Sequence, residues 1–436
     1  MKTEVLISGG GVGGLTLAVL LVQHEINVTV VEQMPKDSPI YKGELLQPKT
    51  LEILEHVGVI DQVLESGHKL PDLSFHELDR DYEFLNKHAK AKMDYTVLPT
   101  QSNFALMIPH ERLKEILLEE AYKYDAFFTY KKPTRFLRFE NGKAVVKQGK
   151  DEYNIEAQYY VGAEGRASPT RDGIEATFDP SYYNHHFLTV TIPRPAPLTQ
   201  GRIITTDQEF LGLFPLPDEV RTVFKIKKDT YKSFKEKGIE YFHERFSNLA
   251  PDLKSYVETL KDYSKIQLMI PYQYHIDRYV QNNVAVLGDA AHTVHPMAGE
   301  GMNMAIQDAD ILGMLLGWMK QTKQFNQTNL LKHYEDVRRK RSQFLLQLSN
   351  LSAHAYSYQG AFIQKNRARA VKRMELDPFI HYKQVLNVSG LGMKPFTYKD
   401  RLIQIGGLPT RKATLSQAQR ECPLFNRTED YPWEEN

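Results

Sequence analysis

Apolar runs and glycines alternate at the start of the chain. In "TEVLISGGGVGGLTLAVLLVQHEINVTVVEQ", Val5–Ser8 and Val28–Val31 read as buried strands, and 14–24, with few polar positions, as the helix between them. A strand–helix–strand unit of this kind implies a parallel sheet with right-handed crossovers. Helical spacing returns at Leu51, Leu54 and Val57, and again at Leu113, Ile116, Leu117 and Ala121. Between about 125 and 160 the pattern alternates as strands do, with Asn141-Gly142 as a hairpin turn. More strand-like pieces fill 183–226, "NVAVLGD" is a further strand, and a helix follows Gly301 to about Lys320. From Leu330 to about Arg373 the chain is helical and charged, and the last sixty residues are irregular, ending in the acidic "TEDYPWEEN". The expected architecture is α/β: a Rossmann-type, parallel-sheet cofactor domain in three pieces (1–70, 100–175 and 275–345). A β-sheet substrate domain (71–99 and 176–274) is interleaved with it, and a helical and irregular C-terminal extension (346–436) follows.

Composition narrows the class. Hydrophobic residues make up 42% and charged residues 25% of 436 positions, which allows a sizeable core. A net charge of +1 gives no reason to expect nucleic acid. Cys422 is the sole cysteine, so neither a disulfide framework nor a thiolate metal cluster is expected. No apolar run approaches the roughly 18–20 residues that span a bilayer, and the glycine-broken N-terminus does not read as a signal peptide. The expectation is a cytoplasmic protein. The basic run "KNRARAVKR", Lys365 to Arg373, reads as a solvated helix face in preference to a contact with anionic lipid.

Three stretches carry candidate chemistry. In Gly9-x-Gly11-x-x-Gly14, the first glycine permits the tight strand-to-helix turn and the second lets backbone approach a pyrophosphate. The third allows close helix–strand packing, while the helix N-terminus at Val12 and Gly13 offers amides to phosphate. Glu32, eighteen residues after Gly14, ends the second strand where an acid accepts hydrogen bonds from a ribose diol. The second stretch, "YYVGAEGRASPTR" (159–171), runs a strand into Glu164 and Gly165 and then a Ser and an Arg; alone it reads equally as a strand end with a helix cap at Ser168. The third, "GDAAHTVHPMAGEGMNMAIQDAD" (288–310), puts Asp289 after a strand and then glycines before a long helix. His292 and His295, three apart, raise the question of a metal, but the spacing supplies no third ligand and leaves Gly299 and Gly301 unexplained. A serine hydrolase lacks its G-x-S-x-G elbow.

In this order the three stretches resemble the flavin-dependent aromatic hydroxylases, the class A FAD monooxygenases. The third matches that family's flavin motif at Gly288, Asp289, Ala290, Ala291, His292, Pro296, Gly299, Gly301, Asn303, Asp308 and Ala309. "GELLQPKTLEILEHVG" and "LLKHYEDVRRKR" extend the resemblance over about the first 345 residues. There are departures: Glu164 stands where Asp is usual, His110 where Arg is common, with Arg112 a second candidate for that contact, and Lys42 near a common Arg, followed by Gly43. The resemblance implies FAD held by Gly9, Gly11, Val12, Gly13, Gly14, Glu32, Lys42, Gly43, His110, Arg112, Glu164, Gly165, Asp289, Pro296, Gly299, Gly301, Met302 and Asn303. It also implies NADPH or NADH as transient electron donor, and O₂ activated as a flavin C4a-hydroperoxide that hydroxylates an electron-rich, largely apolar ring. His292, His295 and Pro296 are the candidates beside the reaction, and Phe210, Leu213, Phe214, Pro215, Met269 and Tyr272 the candidate substrate wall. A polyene epoxidase or a polyprenyl reductase of the same fold is the alternative. A flavin halogenase is excluded, because Trp318 and Trp433 are too far apart to form its W-x-W segment.

Overall fold

The computed structural model describes residues 1–33, 44–86, 89–358 and 360–435. Lys2–Ser8 (β1), Val12–Gln23 (α1) and Val28–Val31 (β2) form the expected unit, and Val5, Leu6 and Ile7 are fully enclosed. Helix α1 is apolar on every side because it is sandwiched: its inner side faces the sheet and its outer side packs on Glu300–Gln321, here α4. A Cβ on Gly13 would lie 3.1 Å from the Ala305 Cβ, and one on Gly313 would lie 2.9 Å from the Leu20 Cβ, so glycines set how closely α1 and α4 cross. Pro48–Val57 (α2) and His110–Ala121 (α3) pack around the same core.

The parallel sheet runs Val284–Val286 (β5), Asp151–Gly162 (β4), β1, β2 and Phe127–Thr129 (β3), with an antiparallel edge at Val280–Gln281. Register matters more than order here. Ser8 pairs with both Gly162 and Val31, and Gly162 pairs with Val286. Four strands therefore end in one row, and the residues that follow them, Gly9, Glu32, Ala163 and Leu287, emerge together at the carboxyl edge, where open α/β sheets bind ligands. Asn141 (φ 50°) and Gly142 (φ 73°) make the predicted hairpin turn between Thr134–Glu140 and Lys143–Gln148.

A second, seven-stranded sheet is built from Gln267–Met269, His185–Pro193, Glu219–Lys227, Phe210–Pro215, Gly201–Thr205, Asp72–Glu77 and Lys90–Asp94 in that order, antiparallel except where Gly201–Thr205 meets Asp72–Glu77. One face, with Leu188, Val190, Leu211 and Leu213, packs on Phe242 and Phe246 of a covering helix, and the other turns toward the first sheet. Lys332–Ser357 (α5), Ala361–Leu376 (α6), Pro378–Val388 (α7) and Tyr398–Ile405 (α8) follow. The C-terminal stretch expected to be irregular thus contains helices, α8 starting in a Thr397–Asp400 capping box. Its acidic end is docked: Asp430 accepts from Lys49 (2.8 Å) and Arg341 (2.5 Å), Tyr431 donates to Asp310 (3.0 Å), and Trp433 is buried. Among the described residues no helix is long and apolar enough to cross a membrane.

Candidate functional site

One cavity of about 1310 Å³ opens where the strand ends converge and continues between the two sheets to the C-terminal helices. At its first end lie Gly9, Gly11, Val12, Gly13 and Gly14. A Cβ on Gly9 would meet the Ala163 carbonyl oxygen at 2.2 Å, and one on Gly14 the Gly9 oxygen at 2.0 Å; both glycines are demanded by the turn itself. Gly11 differs, because a Cβ there would meet nothing within 4 Å: its bare side faces the cavity. Helix α1 has no side-chain cap, so its first amides are offered to that space. Glu32 lines the same end and accepts the Gly10 N–H at 2.7 Å.

The second motif forms both things its sequence allowed, a strand end and a capped helix. Ser168 Oγ accepts the Arg171 N–H (3.1 Å) and donates to Glu164 Oε2 (2.6 Å), and Thr170 donates to the other Glu164 oxygen. Burial pushes the Glu164 carboxyl above its usual range against these hydroxyls. The extra methylene of Glu over Asp is thus used inside the motif. Arg171, enclosed, donates to the Arg166 carbonyl (3.0 Å) and to Tyr274 Oη (3.1 Å), and Tyr274 in turn donates to the Asp289 carbonyl. That chain ties the second motif to the third. Arg166 sits on the rim, 4.6 Å over the Tyr272 ring and 3.4 Å from Asp289 Oδ2.

In the third motif Asp289, Pro296, Gly299, Gly301 and Met302 line the cavity, and α4 begins there with Gly299 at φ 66° and no side-chain cap. The polar residues behind them are consumed structurally. Asn303 accepts from Gln47 N (2.8 Å) and Thr50 (2.7 Å) and donates to the Leu45 and Gly299 carbonyls, pinning α4 to the 44–50 segment. His292 donates to Asp308 (2.7 Å), which also accepts the Gly288 N–H (2.8 Å) and Arg338 (2.6 Å). His295 is enclosed and bonds His185 at 2.9 Å. Neither imidazole is part of the cavity lining; Pro296 is.

Of the other predicted residues, His110 and Gly165 line the cavity, whereas Arg112 turns toward Ser66 (3.3 Å) and Glu115 (3.4 Å). Lys42 and Gly43 lie outside the described residues. Phe210, Phe214, Met269 and Tyr272 reach the cavity. Strand alternation carries Leu213 to the opposite face, into the helix-covered core, and Pro215, two residues on, is not part of the lining. Unforeseen are Arg166, the hairpin residues Arg135 and Phe136, and a wall from α5, α6 and α8 that includes Tyr356, Ala370, Met374 and Gln404. Arg166 was legible as part of the second motif; the helical wall was announced by no motif.

Two uncapped helix N-termini, a bare glycine, and two acids, Glu32 and Asp289, on one long cavity fit an extended dinucleotide with a flavin at its inner end. Residues 2–349 match the family described as the FAD binding domain. The chain is 28% identical over 314 residues to 6-methylpretetramide 4-monooxygenase of Streptomyces rimosus, covering 70% of this chain and 73% of that one. It is 23% identical over 416 residues to pentachlorophenol 4-monooxygenase of Sphingobium chlorophenolicum, covering 92% and 72%. In fold it is similar to p-nitrophenol 4-monooxygenase of Pseudomonas putida, with a TM-score of 0.77 at 18% identity over 91% of this chain and all of that one. The chain belongs to the FAD-binding domain family and is an FAD-dependent monooxygenase of the class A, aromatic-hydroxylase type.

Proposed function

We infer that the protein uses NADPH or NADH and O₂ to hydroxylate an aromatic or other electron-rich, largely apolar small molecule. One atom of O₂ enters the ring, the other leaves as water, and the nicotinamide supplies the two electrons. When bound, FAD supplies the oxygen-activating chemistry. The chain's part is to bind, orient and keep water out. The α1 N-terminus and Glu32 are assigned the adenosine and pyrophosphate half of the cofactor, Asp289 the sugar chain, and the Gly299–Met302 backbone with Pro296 the ring edge. The α4 N-terminus stabilises negative charge on that ring by up to about 2 kcal/mol. A single dinucleotide fingerprint in the sequence supports a nicotinamide that docks transiently beside the flavin.

The observation that carries the apolar-substrate reading is the state of the arginines beyond the cofactor end. Arg221 is held by Glu44 through two bonds of 2.8 Å, and Arg367 by Glu77 through bonds of 2.6 and 2.8 Å. Neutralised in pairs, these two provide no charged clamp for a carboxylated ring. Arg401, a third arginine at that end, donates to Gln404 (2.8 Å) and lies 4.5 Å over the Phe396 ring, while Phe187, Phe210, Phe214, Ile203 and Met374 provide apolar wall. Pentachlorophenol and p-nitrophenol, named for two relatives, are phenols without a carboxylate. The test is NAD(P)H oxidation and O₂ uptake by FAD-loaded protein across a panel of neutral and carboxylated phenols. Neutral rings are expected to accelerate flavin reduction and to appear hydroxylated. Equal, slow reduction with every ring, or turnover that proceeds without O₂ as in a flavin reductase, overturns the reading.

A further inference from the structure

The basic run on α6 has two faces with different company. Ile363, Asn366, Arg367, Ala370, Val371 and Met374 face the cavity. Phe362, Lys365, Arg369, Lys372 and Leu376, spaced three and four apart, form one stripe on the opposite side. Phe362 is 79% exposed and Leu376 56%, values unlike those of a merely solvated polar face. Helix α8, held against α6 by Arg373 donating to the Ile403 carbonyl (2.6 Å), continues this surface with Tyr398, Leu402 and Ile405, spaced four and three apart and 92%, 45% and 53% exposed. Leu351, on α5, and Ile405 are both exposed and cavity-lining, so this surface borders the cavity's mouth.

The segment that builds this surface is basic. Residues 361–412 hold eleven Lys and Arg against three Asp and Glu, a net of +8, or +7 once Arg367, held on the cavity side by Glu77, is set aside; the remainder of the chain has 44 against 51, a net of −7. The three acids are already engaged: Glu375 pairs with Lys372, Asp377 caps α7, and Asp400 is buried between Lys383 and Arg411. Among the described residues no carboxylate pairs with Lys365, Arg369 or Lys399. Large apolar side chains interleaved with uncompensated cations match a lipid interface, which offers anionic headgroups at one depth and hydrocarbon at the next.

We propose that the outer faces of α6 and α8 dock the enzyme on an anionic lipid bilayer, with the cavity mouth turned to the membrane so that an apolar substrate enters from it. The docking rests on this surface alone. Only entry from the bilayer rests on the oxygenase reading, whose failure would show as O₂ uptake unresponsive to any ring, whatever the vesicle result.

The experiment is co-sedimentation of the FAD-loaded enzyme with vesicles of phosphatidylcholine, alone or mixed with phosphatidylglycerol. Binding is expected with the mixed vesicles, weakened by salt, and much poorer with phosphatidylcholine alone. Lys365→Gln with Arg369→Gln is expected to lower the partition coefficient about 25-fold, roughly fivefold per cation. Phe362→Ser with Tyr398→Ser is expected to lower it further, and none of the four changes alters turnover of a water-soluble phenol without vesicles. Failure to sediment with either vesicle, equal binding to both, or an unchanged Lys365/Arg369 variant overturns the proposal. A holoenzyme that ignores lipid but binds an acidic protein through these cations overturns it in favour of a protein partner.

Discussion

Single residues behind the cavity wall explain why this motif contains the polar groups it does. Asp308 takes a histidine, an arginine and a backbone amide at once, and although burial opposes its charge, His292 and Arg338 hold its carboxyl down at about 2. Asp308→Asn would leave Arg338 enclosed without a countercharge. The expected cost is about 3–5 kcal/mol in urea unfolding, with weaker FAD retention because the amide keeps one acceptor oxygen where two are used, so that either Arg338 or the Gly288 turn before Asp289 faces an NH2 group. The histidine pair has a definite direction too. The Met297 N–H donates to His295 Nδ1 (3.2 Å), so the His295 proton is on Nε2 and points at His185 Nε2; the His185 proton is then on Nδ1, facing Ser357 Oγ at 3.0 Å. Only the neutral pair satisfies this order. Burial lowers His295 to about 2 and His185 to about 4, with Lys225 and neighbouring histidines adding to the effect. Folded values below the ordinary 6.5 mean that the unfolded chain takes up protons first, so stability is full above pH 6.5 and falls as pH drops from there, toward 4 for His185 and toward 2 for His295. The two rings together are expected to remove on the order of 2–3 kcal/mol between pH 7 and 5.5. The double variant His185→Asn, His295→Asn is expected to flatten that part of the urea-midpoint profile but not all of it, since His76 and His275 are depressed to about 4 as well.

At the level of elements, two glycines in one motif do separable work. A methyl on Gly14 would collide with the Gly9 carbonyl, so Gly14→Ala is expected to destabilise the apo-protein itself by at least 1–3 kcal/mol. Gly11→Ala, with open space before it, is expected to leave the apo-protein's melting temperature unchanged while weakening FAD binding tenfold or more, read by fluorescence titration of the free cofactor. Equal melting losses in both variants would mean that Gly11 serves the turn and not a ligand. Much of this was legible in advance. The buried strands, the glycine turn and Glu32 follow from period, length and the geometry a pyrophosphate imposes, and Asn141-Gly142 from the left-handed angles a two-residue hairpin needs. Strand alternation also divides "FLGLFPLP", sending Phe210 and Phe214 one way and Leu213 the other. What spacing could not tell was which polar residue of the third motif faces a ligand and which holds the backbone. His292, His295 and Asn303 carry the same donor and acceptor groups in either role, and only partners distant in sequence, such as Asp308, His185 and Gln47, decide it.

For the molecule as a whole, the cavity is closed by chain that lies outside the recognised family span. The family match ends at 349, yet α6 and α8 complete the wall opposite the flavin motif. The helical period of α6 was readable, but its destination was not, because packing on a remote sheet leaves no local signature beyond an apolar stripe. On the assignment proposed above, this arrangement separates cofactor binding from substrate choice: the strand ends and α1 would hold one, while α6 would border the other. Ala370 tests the separation, being a small cavity-lining side chain one turn from Arg367 and Met374. Ala370→Trp adds bulk to the substrate end and touches none of the residues assigned to FAD. The variant is expected to bind FAD as the parent does and to oxidise NAD(P)H without substrate at the parent's rate. For a bulky polycyclic phenol KM is expected to rise about tenfold or more, roughly 1.4 kcal/mol of lost binding, while a single-ring phenol is affected far less. Steady-state kinetics with the two phenols measures this directly. Should both respond alike, or FAD binding fall with them, the C-terminal helices would be supporting the whole cavity and not selecting what enters its far end.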